Sequence, residues 1–163
     1  MDNDLLKLIE TQINKELYSA YAYYGIAEFY RFKGYKGLHT WFVKQAKEEF
    51  EHAEKFAGYL AECGEKFDLL QISAPNYNFT NVRAPLEWQI QHEKYVTSLI
   101  DSIYKTAESV GDSRTKDFVQ WYVDEQVEEE EKAEKMLKKF DEAIMQGEPG
   151  LKRFDNDMAY DRR

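Results

Sequence analysis

Glu49 and His52 stand three residues apart, a spacing that brings a carboxylate and an imidazole onto one face of a helix, where both can reach a single metal ion. The stretch around them repeats Leu38, Phe42, Gln45, Glu49, His52, Phe56 and Tyr59 at steps of three and four. The pair therefore falls where an apolar seam would carry leucine. Three other stretches interrupt their seams in the same way. Ile9, Ile13, Glu16, Ala20, Tyr23, Ala27 and Tyr30 carry Glu16 inward. Leu86, Gln89, Glu93, Val96, Ile100, Ile103, Ala107 and Val110 carry Glu93, and Phe118, Tyr122, Glu125, Glu129, Ala133, Met136 and Phe140 carry Glu125 and Glu129. One seam glutamate can tilt aside and reach water along its stem. Glu16, Glu49, Glu93 and Glu129 all lie near helix midpoints, so they share one layer whatever the direction of each helix. Four ionised carboxylates in such a layer would be strongly unfavourable through desolvation and mutual repulsion. Two hard cations would neutralise them, with Glu49 free to bridge. Carboxylates with one imidazole and no thiolate favour iron or manganese over structural zinc.

Positioning these groups requires four long helices, and the periodic stretches supply them at about 4–33, 37–63, 85–110 and 113–146. Gly34, Gly64, Gly111 and the run Gly147-Glu148-Pro149-Gly150 punctuate them. Leu151, Phe154 and Met158 then share one face of a short helix at about 150–159. Two short turns make two antiparallel pairs. Between the pairs, the segment with Pro75, Asn76, Asn78 and Asn81, and a β-favouring patch at Tyr77 and Phe79, is long enough to run the length of a helix when extended. The expected fold is all-α: a four-helix bundle with one long crossover between the second and third helices, plus a short C-terminal helix, as a single domain over 1–163.

Composition narrows the function. The chain of 163 residues carries 31 Asp and Glu against 22 Lys and Arg, a net charge of -9, which disfavours nucleic acid as a partner. The single cysteine, Cys63, supports neither an internal disulfide nor a cysteine-ligated cluster. The opening Met1-Asp2-Asn3-Asp4 is acidic where a signal peptide would be basic, and no apolar run approaches the ~20 residues of a membrane span. A cytoplasmic protein without membrane contact is expected. Twelve tyrosines and 15% aromatic residues point to a folded, aromatic-rich core. The Glu128 to Glu131 run reads mainly as solvated helix surface, compensated by Lys132, Lys135, Lys138 and Lys139. His39 and His92 read as structural or surface groups.

The sequences Asn14-Lys15-Glu16-Leu17-Tyr18, Glu48-Glu49-Phe50-Glu51-His52-Ala53, His92-Glu93 and Gln120-Trp121-Tyr122-Val123-Asp124-Glu125-Gln126-Val127-Glu128-Glu129 together resemble the bacterial-type non-haem ferritins, in order and over nearly the whole chain. The resemblance implies a ferritin-like fold, an iron-storage protein with a ferroxidase centre in each subunit, and a closed homo-oligomeric shell of about 24 subunits. It implies that Glu16, Glu49 and His52 hold a first iron, and that Glu49, Glu93 and Glu129 hold a second. A third iron position maps to Glu48, Glu125, Glu128 and Glu129, with Gln126 beside the centre. Fe²⁺ and either O₂ or H₂O₂ would be the reactants. Tyr23, two turns along the face from Glu16, would donate an electron or hydrogen-bond a ligand, and Trp121 has similar standing. Two departures refine this. Where bacterioferritins repeat Glu-x-x-His on the fourth helix, this chain has Gln126-x-x-Glu129, which suits a loosely held second iron in transit. Where they place a haem-ligating Met, it has Phe50, so haem is not expected. The competing expectations are a di-iron oxidase or peroxidase that retains its metals, and a non-catalytic acidic scaffold.

Overall fold

The computed structural model describes residues 1–161; the last two residues of the expected 1–163 domain lie outside the described residues. Helices run over Asn3–Lys33 (α1), Lys36–Glu62 (α2), Ala84–Ser109 (α3), Ser113–Ile144 (α4) and Gly147–Met158 (α5), and no strand occurs among the described residues. Local chemistry sets most of these limits. Asp2 caps α1 by accepting from the Asp4 and Leu5 amides, and Gly34, at φ 86°, ends it in the left-handed conformation that glycine adopts without strain. Asn81 accepts from the Arg83 and Ala84 amides just before Pro85 opens α3, and Asp112 accepts from the Thr115 amide to start α4.

α1 packs along α2 and α3 along α4, with α1 also against α3, giving the expected four-helix bundle with its long connection between α2 and α3. The β-favouring patch in that connection forms no strand. Its aromatics pin the strap to α1 instead. Tyr77 donates to the Ala22 carbonyl at 2.7 Å, and it fits because Gly25 has no side chain: a Cβ there would lie 2.2 Å from the Tyr77 hydroxyl oxygen. Tyr30 donates to the Val82 carbonyl at 2.8 Å, and Asn14 to the Gln71 carbonyl at 3.1 Å.

The short last helix begins at Gly147, three residues before the expected start, because Pro149 sits in its first turn rather than ending the preceding element. It packs on α2 and α4. Gly37 lets it approach α2 so closely that a Cβ would fall 1.5 Å from the Asp155 carbonyl oxygen. Asp155 in turn accepts from the Leu38 amide at 2.9 Å, capping a helix whose own preceding residue supplies no side-chain cap.

The core is divided in two. One apolar cluster, with Tyr30, Trp41, Phe42 and Phe140, fills one end of the bundle; the other, with Leu5, Phe56, Ile100 and Tyr122, fills the opposite end. Between them lies a buried polar layer. The expected seams hold with single-residue offsets: Ser19 is buried where Ala20 was expected, Val119 where Phe118 was, Gln126 where Glu125 was, and Val110 is exposed. Long straight helices drift about 20° per heptad against a 3.5-residue repeat, which is enough to move a neighbouring residue into the seam.

Candidate metal centre

Glu16 comes from the middle of α1, Glu49 and His52 from α2, Glu93 from α3 and Glu129 from α4. The two apolar clusters close over them, and all five are between 0 and 7% exposed. One ligand atom each from Glu16, Glu49 and His52 lie within 4.8 Å of one another, as do one each from Glu49, Glu93 and Glu129. Glu49 is common to both groups.

Hydrogen bonds fix the carboxylates. Gln12 donates to Glu16 Oε1 at 2.7 Å, the two residues standing one turn apart on α1. The single Gln45 amide nitrogen donates to Glu49 Oε1 and to Glu129 Oε2, both at 2.8 Å, tying α2 to α4. Tyr23 donates to Glu93 Oε1, and the Gln126 amide lies 3.3 Å from Glu93 Oε2. Lys132 donates to Glu129 Oε1 at 2.6 Å. Tyr122 reaches the His52 carbonyl at 2.7 Å, anchoring the α2 backbone beside the layer. Glu16 Oε2 is buried with no hydrogen-bond partner.

The charges are tuned against one another. Burial, then the Glu49 charge, pushes Glu16 up to about 8. Burial also pushes Glu49 up, but His52, 3.4 Å from its Oε2, and the Gln45 amide outweigh this and hold it below the usual carboxylate range. Burial alone would lower His52; Glu49, with Glu16 and Glu129, outweighs it and raises the imidazole to about 9. Burial and then the Glu49 and Glu129 charges drive Glu93 well up, while Glu129 is raised by burial and Glu49 against the pull of Lys132. Without a metal the layer thus centres on an imidazolium–carboxylate pair at His52 and Glu49, with Glu16 and Glu93 shifted toward their protonated forms and Glu129 held between the Lys132 ammonium and the Gln45 amide. Four buried carboxylates, one imidazole, no thiolate and an unpartnered Glu16 oxygen form a donor set that fits hard, oxygen-seeking cations such as iron or manganese.

The remaining expected residues fall around this layer. Gln126 is buried beside Glu93. Glu48 and Glu125 are half-buried and Glu128 exposed; with His52, Trp121 and Lys132 they line a surface recess of about 490 Å³, and of these only His52 belongs to a ligand group. Glu125 Oε1 is 3.9 Å from His52 Nε2, so the recess opens directly onto the imidazole. Trp121 is 39% exposed and carries the Lys55 ammonium 3.1 Å from its ring centre. His92 lies in neither group: it stacks on Trp88, is bonded to Ser19 at 2.7 Å, and is pulled down to about 4 by burial. His39 is half-buried and contacts the Ala27 carbonyl.

Sequence reasoning missed three groups. Gln12 and Gln45 each precede a layer glutamate by four residues, a helical hydrogen-bonding spacing visible in the sequence. Lys132, read as surface charge compensation, is bonded to Glu129; its position three residues later on α4 was the available signal.

Comparison with known proteins agrees with this architecture. Residues 6–143 match the ferritin family model, a ferritin-like domain. The bacterial non-heme ferritin of Staphylococcus aureus strain USA300 is 31% identical over 130 residues, covering 80% of this chain and 78% of that protein. That of Campylobacter jejuni is 32% identical with the same coverage. In structure, an open pore ferritin from the hyperthermophilic archaeon Archaeoglobus fulgidus superposes with a TM-score of 0.94 at 31% identity, over 99% of both chains. Matched by the family model over most of its length and by relatives across four-fifths of it, the chain belongs to the ferritin family, whose general activity is iron storage with ferroxidase chemistry.

Proposed function

We propose that this chain oxidises Fe²⁺ to Fe³⁺ at a two-metal centre inside each subunit and stores the product as a ferric oxo-hydroxide mineral within a homo-oligomeric shell. The observation that carries the reading is the sharing of Glu49 between two buried ligand groups. Glu16, Glu49 and His52 would hold the first iron, and Glu49, Glu93 and Glu129 the second. Two ferrous ions give up two electrons, which together with two protons reduce O₂ to H₂O₂, or H₂O₂ to two waters. Charge-dense oxygen donors favour the ferric state, so the ligand set itself drives oxidation. His52, protonated in the metal-free layer, releases its proton as metal binds. Tyr23 holds Glu93 in place and stands ready to supply an electron.

Several finer features belong to the same proposal. Gln126 orients Glu93 rather than binding metal strongly, which suits a second iron that moves on. Glu48, Glu125, Glu128 and Glu129 would take a third iron along the recess. Haem has no part in it, with Phe50 at the position bacterioferritins give to methionine. No helix of the described residues is long and apolar enough to cross a membrane, in keeping with a single cytoplasmic domain. Relatives described as bacterial non-heme ferritins and an open pore ferritin support a shell of about 24 subunits.

The test is size-exclusion chromatography after stepped additions of aerobic Fe²⁺, with iron measured in the eluted protein. Iron far beyond the two ligand groups, co-eluting with a large assembly, is expected. Loading that stalls at two per chain would instead identify a di-iron oxidase or peroxidase that keeps its metals.

A further inference from the structure

Besides the His52 imidazole, itself a candidate ligand, one fixed cation already reaches the centre. Lys132, three residues after Glu129 on α4, donates to Glu129 Oε1 at 2.6 Å, and its ammonium lies 3.7 Å from Glu48 Oε2. Gln45 holds the other oxygen, Glu129 Oε2, at 2.8 Å. Both oxygens of Glu129 are therefore engaged before any metal arrives, one of them by a fixed charge. Among the described residues no lysine or arginine nitrogen stands within 4.0 Å of Glu16, Glu49 or Glu93. A charge that cannot itself become a metal ligand by losing a proton at neutral pH thus stands at one of the two groups only, since the imidazole of the other is a donor for its own metal.

We propose that Lys132 is a tethered cation that competes with the second metal for Glu129, making that position weaker and more exchangeable than the one formed by Glu16, Glu49 and His52. The inference rests on the two-metal reading above. A divalent ion that takes Glu129 Oε1 must push the ammonium aside or share the oxygen with it; one that takes Oε2 meets the Gln45 amide in the same way and still sits close to a like charge. Either route costs affinity, because like charges repel strongly where water is scarce. When the metal leaves, the ammonium restores its hydrogen bond, so Glu129 is never stranded as an unpaired buried charge. Lysine suits this competition because its ammonium is a point charge on a flexible stem, and Glu48 offers it a second carboxylate when Glu129 is taken. Lys132 also forms the boundary between the recess lined by Glu48, Glu125 and Glu128 and a smaller one lined by Lys135 and Lys139, so the displaced side chain stays at the surface. It is a positioning residue, acting on the metal through Glu129.

The test is anaerobic Co²⁺ titration of the assembled protein, followed by calorimetry, for the parent chain, Lys132→Met, Lys132→Gln and the charge-retaining Lys132→Arg. Expected in the parent are at least two binding steps per chain, the first two belonging to the two buried ligand groups. The second tightens by about tenfold in both neutral variants, stays near the parent value in Lys132→Arg, and leaves the first step unchanged throughout. A second step in Lys132→Met and Lys132→Gln that is unchanged or weaker overturns the inference, since the ammonium would then orient Glu129 rather than compete for it. A parent chain with fewer than two steps overturns the two-metal reading itself, and the competition with it.

Discussion

The Tyr23 hydroxyl on α1 donates its hydrogen to Glu93 Oε1 on α3, a side-chain bond across the buried layer between helices from the two hairpins of the bundle. Both partners are within 1% of complete burial. Removing the hydroxyl leaves Glu93 with the more distant Gln126 amide at 3.3 Å. Tyr23→Phe is expected to lower the stability of the metal-free protein by about 1 kcal/mol, measured by urea unfolding, while keeping both metal-binding steps. An unchanged midpoint would show that the hydroxyl contributes nothing to holding the carboxyl.

Glu49 is common to both candidate ligand groups, and His52 belongs only to the first. Glu49→Ala combined with His52→Ala therefore damages both positions at once. Rapid Fe²⁺ oxidation should fall by about a hundredfold or more, read by stopped-flow absorbance, with helical content retained. Since the double variant removes both members of a buried ion pair and strands neither charge, the metal-free variant should remain folded at pH 7. Undiminished oxidation in a folded variant would remove the proposed centre.

The metal-free protein should lose stability as pH rises. Glu16 shifts from 4.5 to about 8 and His52 from 6.5 to about 9, so the folded chain holds both protons more tightly than the unfolded chain. Their contributions are complete below about pH 4.5 and 6.5, and are lost as pH climbs through about 8 and 9. Glu49, lowered in the folded state, acts in the opposite sense, but only below its ordinary 4.5. His92, lowered from 6.5 to about 4, opposes this only below about 6.5, so thermal midpoints between about pH 6.5 and 9 should fall steadily without metal and flatten with bound Co²⁺. A midpoint that rises over this range would contradict the charge arrangement.

Gly37 admits the Asp155 backbone where a side chain would collide with it. Gly37→Ala is expected to cost about 1–3 kcal/mol and to loosen α5, seen as faster proteolysis between α4 and α5. The metal layer should survive, because α5 packs against the apolar cluster at one end of the bundle and not against the layer.

The layer was legible because charge in a seam is conspicuous: Glu16, Glu49, His52, Glu93 and Glu129 each break an apolar repeat, and the structure brings all five together. The donor types narrowed the metal to iron or manganese, and the choice of iron came from the resemblance. What the repeat could not resolve was rotation. Glu125 and Gln126 are one residue apart, and helical drift buries Gln126 and turns Glu125 toward the recess. Nor could it reveal partners supplied from afar: the Asp155 cap on α2 spans 117 positions, and the strap's Tyr77 needs the gap at Gly25. Lys132 looked like one lysine among four because a helix surface and a helix flank carry the same composition.

The division of the core has a thermodynamic corollary. Metalloproteins whose metal is the keystone unfold when it is withdrawn. Here the hydrophobic driving force is lodged in two separate lobes, above and below a hydrophilic waist, and each lobe closes on its own aromatic packing. The waist bears charge but little of the weight. Emptying it should leave both lobes shut, and in the proposed cycle of uptake and release the scaffold would not have to refold between rounds.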